Sequence, residues 1–354
     1  TGSFKGVSGT AYLDEENVFH QDEYPPPRIR KIDEIGWPFW PDSYLKKFWE
    51  SGKSFGVATE KDMPFMVSRG CPYQCTFCSS PGMWTTRYLL RDVNDVIDEV
   101  KHYVERFGIT SLQFYDLTAI TKKKWIVEFC NKLLEERIQL SWSLPSGTRS
   151  EALDGESLKL LKKTGCNYLV YAPESGSLRT LKKIKKKIDL DQLSESALEA
   201  KRQKLTIRIN LIIGFPEETW VDIFKTVFYG LKMSAYGVDE VPLFIFSPYP
   251  GTEIFKKLEN EKKIVLDDDY FLALNSLNSS YLSTRVTCYN PRINPRLLGT
   301  LRMIFMVTNY LVGYLFFPRR IFRTLKNIFS THEAATVFEH RLKDLIQRRT
   351  SAVK

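Results

Sequence analysis

The sequence predicts an α/β fold. It is a partial (β/α)6 barrel of the TIM type, with an irregular N-terminal arm and a helical, aromatic-basic C-terminal extension. Three observations predict it. Between residues 61 and 260, short apolar runs of β character alternate six times with runs of helical periodicity. Six β-then-α units in a row imply parallel strands joined by right-handed crossovers. The texture changes on both sides of that stretch, giving an arm over 1–60, a barrel over 61–260 and an extension over 261–354.

The arm carries little periodicity. Pro25, Pro26 and Pro27 run together, and Trp37, Pro38, Phe39, Trp40 and Pro41 follow. Free linkers are poor in aromatics, so the arm is expected to pack on a neighbour. Phe65–Val67 reads as the first strand. Val93, Val96, Ile97, Val100, Val104 and Phe107 recur at helical spacing, and Gly108 stops that helix. Ser111–Tyr115 reads as a strand, Trp125–Leu134 as a helix and Leu140–Leu144 as a strand. Leu158–Lys163 reads as a helix ended by Gly165, followed by a strand at Tyr168–Tyr171. A helix over Asp189–Lys204 precedes a strand at Ile207–Ile213. Thr219 and Asp222 form a capping-box pattern that opens the next helix. Val241–Phe246 is the sixth strand, with a short helix near Glu253–Leu258. In barrels of this type the chemistry sits at the C-terminal ends of the strands.

The extension is different. Met303 to Phe317 is strongly apolar and aromatic, and Pro318-Arg319-Arg320-Ile321-Phe322-Arg323 follows. The run is short for a membrane span and is interrupted by Thr308, Asn309 and Gly313. It reads as an interfacial helix with aromatics on one side and cations on the other, or as a core helix on the barrel. Thr336 to Arg349 reads as a short amphipathic helix with a basic end.

At 354 residues, 43% of them hydrophobic and 26% charged, the chain is globular rather than disordered. The net charge of +9 has two readings, a solvated basic surface or a patch for anionic partners. The first residues are polar and small and lack a signal peptide, and the chain does not begin with Met. It reads as a fragment or a processed form of a cytoplasmic protein. The six cysteines exclude a dense disulfide scaffold. Three are grouped at Cys71, Cys75 and Cys78; Cys130, Cys166 and Cys288 stand alone.

Cys71-Pro-Tyr-Gln-Cys75-Thr-Phe-Cys78 is the sharpest signal. Three thiolates this close, just after a strand, can grip three corners of an iron–sulfur cube. A fully protein-held cluster needs four cysteines, so one iron would stay open to a substrate molecule. The alternative is a zinc site. Zinc usually asks for paired C-x2-C units or added histidines, and His20, His102, His332 and His340 are scattered. The C-x3-C-x2-C spacing with an aromatic before the last Cys resembles the signature of the radical S-adenosylmethionine (SAM) superfamily. The resemblance implies a [4Fe–4S] cluster on Cys71, Cys75 and Cys78, with SAM chelating the open iron through its amino and carboxylate groups.

The resemblance continues over roughly residues 20 to 260 and implies further SAM contacts. Phe114-Tyr-Asp116 ends the second strand, where the family places polar residues near the SAM amino group; a helix or loop cap is the plainer role for Asp116. Arg149 matches an Arg suited to a carboxylate, and a surface Arg is the alternative. Tyr171-Ala-Pro-Glu174-Ser175-Gly176 resembles the family's G-x-E-S-G segment, with Glu174 and Ser175 at a strand end. The basic run Lys182 to Lys187 follows as it does in the family, and reads as a solvated face. Asn210-Leu-Ile-Ile-Gly214-Phe-Pro216-Glu217-Glu218-Thr219 resembles G-x-P-x-E-T. Ile212 and Gly214 would flank adenine there, unless Gly214 only serves a turn, and Asn210 would bind the cofactor as well. Tyr73 and Phe77, inside the cysteine motif, are placed beside the cofactor. Ser247-Pro-Tyr-Pro250-Gly251-Thr252 matches the segment after strand six. No catalytic acid or base can be named. Cys288 or Tyr289 could relay a radical, although a lone Cys is more often a small buried hydrophobe.

The pattern is most similar to the cobalamin-dependent branch, which includes magnesium-protoporphyrin cyclase and hopanoid or lipid methylases. The arm, with Tyr24-Pro-Pro-Pro and Ile35-Gly-Trp-Pro-Phe-Trp-Pro, resembles the linker that follows a cobalamin-binding domain. No D-x-H-x-x-G element is present to ligate cobalt, so cobalamin rests on the resemblance. The expectation is a radical SAM enzyme that modifies an unactivated carbon of a lipid or tetrapyrrole-like substrate by methyl transfer, cyclisation or C–C bond formation. Its partners would be an external electron donor such as ferredoxin or flavodoxin, and peripherally the inner face of a membrane. Two rivals remain: an RNA-modifying radical SAM enzyme, whose second cluster and β-rich RNA domain are not seen, and a non-enzymatic iron–sulfur or zinc module.

Overall fold

The structure is a computed structural model and describes residues 6–22, 28–56, 61–276, 286–329, 336, 338 and 339. Six parallel strands form one sheet: β1 (Asp62–Phe65), β2 (Ser111–Phe114), β3 (Ser141–Thr148), β4 (Cys166–Glu174), β5 (Thr206–Ile213) and β6 (Leu243–Ile245). Their order in the sheet is their order in the chain, with β1 and β6 at the two edges. Sequential parallel order with a helix between neighbours is the wall of a partial TIM-type barrel.

The expected elements are present, with shifted bounds. The first strand ends at Phe65, where the sequence placed its start. Asp62 and Pro64 discourage a strand by composition. Here β1 is an edge, which tolerates the missing Pro64 N–H, and Asp62 accepts from Gly56 N at 2.7 Å. β3 runs beyond Leu144 to Thr148 through a register shift. The capping box at Thr219 opens the Trp220–Ala235 helix, and Gly108 closes Val93–Phe107 in the left-handed conformation.

The arm is not wholly irregular. A hairpin pairs Ala11–Leu13 with Phe19–Gln21, and a helix spans Asp42–Glu50. Contacts divide the chain into Thr1–Gly36 and Trp37–Lys354, so residues 37–56 go with the barrel. Leu45 is fully buried, and Trp49 Nε1 donates to the Asp62 carbonyl at 3.0 Å. The Pro25–Pro27 run and most of the tail from Thr336 lie outside the described residues.

The core lies between the sheet and its helices. Ile207, Ile209, Leu211 and Ile213 of β5 are fully buried among helix residues such as Ala197, Ala200 and Ile223. The alternate residues Arg208, Asn210 and Ile212 are half-buried and face the other side, the barrel interior. The extension forms two helices, Pro295–Phe316 and Arg319–Phe329. The first packs closely on Trp220–Ala235, because Gly230 leaves room for Phe305. A Cβ at Gly230 would lie 2.7 Å from that ring. Asn309 and Ser234 hydrogen-bond across the same seam.

Candidate functional site

The cysteine loop leaves a short antiparallel pair, Ser68–Arg69 with Leu89–Leu90, just past the C-terminal end of β1. Gly70 makes the exit with φ +86°. A side chain there would collide with the Arg87 carbonyl at 1.9 Å. The loop is then clamped on both sides. Thr76 N donates to the Ile184 carbonyl and Ile254 N donates to the Thr76 carbonyl, each at 3.1 Å. All three thiols are free and half-buried. Cys71 Sγ lies 3.5 Å from Thr118 Oγ1, Cys75 Sγ 4.0 Å from the Lys185 carbonyl oxygen, and Ser80 N donates to Cys78 Sγ at 3.5 Å.

The electrostatics mark the same spot. Burial pushes the Cys75 and Cys78 thiols up; the neighbouring thiols and Glu174 push the same way, and Lys186 pulls down. The three sulfurs are therefore near enough to feel one another's charge. Among the described residues, no three His, Cys, Asp or Glu side chains converge on a single-ion position. A cluster asks each thiolate for one iron only, so three separated thiols on one clamped loop meet its requirement.

Around Cys75 stands a buried charged group that sequence reading only partly foresaw. Glu174 ends β4 at φ +70°, an uncommon conformation for a residue with a Cβ and the kind of strain that clusters at functional sites. Its Oε1 meets Lys186 Nζ at 3.0 Å. Burial pushes the Lys186 ammonium down, but Glu174 and Cys75 pull it up and win. Within the Lys182–Lys187 run, the other four lysines are exposed and Lys186 alone is drawn inward. The composition of the run carries no sign of that difference, because it comes from where the turn after Leu178–Lys183 sits. Arg149 is buried too. It stacks over Tyr73 at 3.9 Å, bonds Glu151 at 2.8 Å and donates to the Lys187 carbonyl.

Several buried polar atoms here have no partner: Thr76 Oγ1, Ser80 Oγ, Thr148 Oγ1, Arg149 Nε, Ser150 Oγ and Asp116 Oδ2. Buried polar groups are normally satisfied. A run of orphans at the end of β3 and on the cysteine loop fits a polar ligand held there, such as the amino-acid end of SAM.

The other expected site residues divide. Asp116 is buried and chiefly structural. Its Oδ1 accepts from Val67 N at 3.0 Å and from Ser68 N and Ser68 Oγ at 2.5 Å, anchoring the backbone that leads into the cysteine loop. Burial pushes its carboxyl up to about 6. Phe77 packs on Phe215 at 5.7 Å, in the cluster of apolar side chains that Ile212 also joins. Phe77 and Ile212 thus pack against one and the same apolar cluster. Ser175 departs from the expectation: it is fully buried, sharing its hydroxyl with Thr226 Oγ1 at 2.9 Å. The space beside Gly214 is filled by Leu298, 2.8 Å from where a Cβ would stand. Asn210 Oδ1 accepts from Arg208 Nε at 2.8 Å on the inner face of the sheet. Cys288 is half-buried, within reach of the Asn290 carbonyl at 3.8 Å.

The sequence profile of the radical SAM superfamily matches residues 65–229, which hold the cysteine loop and the strands that surround it. The chain carries a radical SAM domain. An uncharacterized methyltransferase of Pyrococcus horikoshii is 31% identical over 252 residues, covering 71% of this chain and 52% of that protein. The anaerobic magnesium-protoporphyrin IX monomethyl ester cyclase of Cereibacter sphaeroides is 24% identical over 260 residues, 73% of this chain and 40% of that one. The cobalamin-dependent S-adenosylmethionine radical enzyme OxsB, solved with aqua-cobalamin and SAM bound, matches with a TM-score of 0.57 at 14% identity, covering 97% of this chain and 60% of OxsB. That likeness is one of fold. The radical SAM domain and its flanks thus span about half the length of the curated relatives they match.

Proposed function

We propose that this chain holds a [4Fe–4S] cluster on Cys71, Cys75 and Cys78 and, with SAM on the open iron, modifies an unactivated carbon. The carrying observation is the clamped loop of three separate thiols with buried Glu174, Lys186 and Arg149 gathered against it. When bound, the two groups supply a primary carbon radical strong enough to take hydrogen from an unactivated C–H bond. The chain's own work is positioning. Lys186 and Arg149 suit the SAM carboxylate, Glu174 suits its amino group or ribose, and Phe77 with Ile212 offers an apolar wall for adenine. The buried setting keeps water from the radical.

The finer reading is methyl transfer or cyclisation on a lipid or tetrapyrrole-like substrate, with cobalamin as a further cofactor. Relatives named as a methyltransferase and a tetrapyrrole cyclase, and the cobalamin-dependent fold relative, support it. Peripheral association with an anionic membrane goes with a hydrophobic substrate. Support comes from the Pro295–Phe316 helix, which is long and apolar enough to cross a bilayer by length and composition and is one-third buried. The cytoplasm suits oxygen-sensitive cluster chemistry, with ferredoxin or flavodoxin supplying electrons.

The test is anaerobic reconstitution with iron and sulfide, then reduction and electron paramagnetic resonance with and without SAM. A reduced-cluster signal that shifts with SAM, together with 5′-deoxyadenosine or S-adenosylhomocysteine as product, is expected. Glu174→Gln should keep the iron content and weaken the SAM-induced shift by roughly tenfold in SAM affinity, the loss of one charge-assisted bond. A cluster indifferent to SAM, or bound zinc, refutes the reading.

A further inference from the structure

Each of the three thiols meets a different neighbour. Cys78 Sγ accepts from the Ser80 backbone N–H at 3.5 Å, and Cys75 Sγ lies 4.0 Å from the Lys185 carbonyl oxygen. Both of these partners are main chain. Lys186 brings positive charge toward Cys75, but that charge is paired with Glu174. Cys71 Sγ faces a side-chain hydroxyl instead, Thr118 Oγ1 at 3.5 Å. Thr118 is buried and belongs to the segment after β2, 47 residues further along the chain. That segment is held on both sides of Thr118. Asp116 accepts from Val67 N and Ser68 N, on the approach to Cys71. The Tyr88 hydroxyl donates to the Ala119 carbonyl at 3.0 Å. In the free thiol, either Cys71 or Thr118 can be the donor, and the hydroxyl also reaches the Leu117 carbonyl at 2.8 Å. A sulfur that ligates a metal is a thiolate and has no proton to give. The hydroxyl can rotate, so in that state it is the donor and Cys71 Sγ the acceptor.

We propose that Thr118 sets the reduction potential of the cluster, holding it up through a hydrogen bond donated to Cys71 Sγ. The inference rests on the proposed function, since it needs a cluster on the three cysteines. Hydrogen bonds to the sulfurs are one of the levers by which a protein tunes such a potential. Gaining an electron makes the sulfurs more negative. A donor aimed at one of them therefore stabilises the reduced state more than the oxidised one. The step balances simply: the reductant loses one electron, the cluster gains it, and the hydroxyl keeps its proton in both states. Thr118 acts through Cys71, so it is a positioning residue and not a catalytic one. Of the three close contacts to sulfur, this is the one that substitution of a side chain can remove.

The experiment uses the whole chain, reconstituted anaerobically with iron and sulfide, as wild type, Thr118→Val and Thr118→Ser. Valine keeps the branched shape and loses the hydroxyl; serine keeps the hydroxyl and loses the methyl group. The midpoint potential is read without SAM, by titrating the electron paramagnetic resonance signal of the reduced cluster against solution potential. Thr118→Val should weaken reduction roughly tenfold in the equilibrium constant, which is about 59 mV lower for one electron and the size of one hydrogen bond to a charged group. Thr118→Ser should stay near the wild-type midpoint. Iron content should be equal in all three, because Asp116 and Tyr88 anchor the segment without the Thr118 hydroxyl. A wild-type midpoint in Thr118→Val, or equal shifts in the two variants, overturns the assignment and leaves the cluster standing. Loss of iron in either variant makes Thr118 part of the loop's framework and overturns the assignment too. A wild-type chain that takes up no cluster overturns the proposed function and this inference together.

Discussion

Glu218 shows how one residue of a binding segment is spent on holding backbone. Its carboxylate accepts from Gly214 N at 2.7 Å, Phe215 N at 3.0 Å and Thr180 Oγ1 at 3.2 Å, and so fixes the turn after β5. Burial outweighs these bonds and pushes its carboxyl up to about 7. A raised carboxyl pKa means that the folded state holds the proton more tightly than the unfolded one. The stabilisation is therefore full below the ordinary glutamate range and is lost as pH rises through about 7. The urea midpoint of the wild type should fall over that interval. Glu218→Gln keeps an acceptor but cannot titrate, so its midpoint should vary less with pH. Asp116, also pushed up, to about 6, adds a slope of the same sign that this substitution leaves in place. Equal pH slopes in wild type and variant would contradict the assignment.

At the scale of elements, caps decide where helices begin. Thr219 Oγ1 accepts from Asp222 N at 3.4 Å, while Asp222 Oδ2 accepts from Thr219 N at 2.9 Å. The second of these residues also takes Arg179 and Ser177, binding the start of Trp220–Ala235 to the segment after β4. Removing an N-cap hydroxyl usually costs about 1 kcal/mol. Thr219→Ala should lower unfolding stability by about that much in urea, with the slope of the transition unchanged. A change in slope instead would place the effect in the unfolded chain. Caps of this kind are local, which is why Thr219, Asp189 and Gly108 could be read directly as helix bounds. The six-residue helix Leu178–Lys183 could not, because it is too short to show a period.

For the whole molecule, the extension sets the least ordinary surface. Leu297, Ile304, Val307, Leu311 and Leu315 lie exposed along one side of Pro295–Phe316, with Phe228 exposed on the helix it packs against and Phe322 beyond it. From Pro291 to Phe329 there is no Asp or Glu, against seven Arg and Lys. Of these, Arg302 is buried and Arg320 and Arg323 pair with Asp239, which leaves Arg292, Arg296, Arg319 and Lys326 exposed. Exposed apolar area beside such cations suits the peripheral membrane association proposed above. The chain should sediment with anionic vesicles and less with neutral ones, and Leu315→Glu/Phe322→Glu should abolish the difference. A chain that stays in solution with anionic vesicles at low salt would rule out the membrane reading while leaving the cluster chemistry untouched.

The sequence by itself determined the alternation of strands and helices and the three clustered cysteines, because hydrophobic period and motif spacing are local properties of the chain. It did not separate Lys186 from the four exposed lysines around it, nor show that Ser175 would be spent on Thr226 and Gly214 closed off by Leu298. Those outcomes depend on which segments meet across 12, 51 and 84 residues of sequence. Burial and pairing at such distances follow from how the strands stack and where the extension packs. Tertiary structure alone could turn a lysine in a basic run into a buried partner of Glu174 beside Cys75.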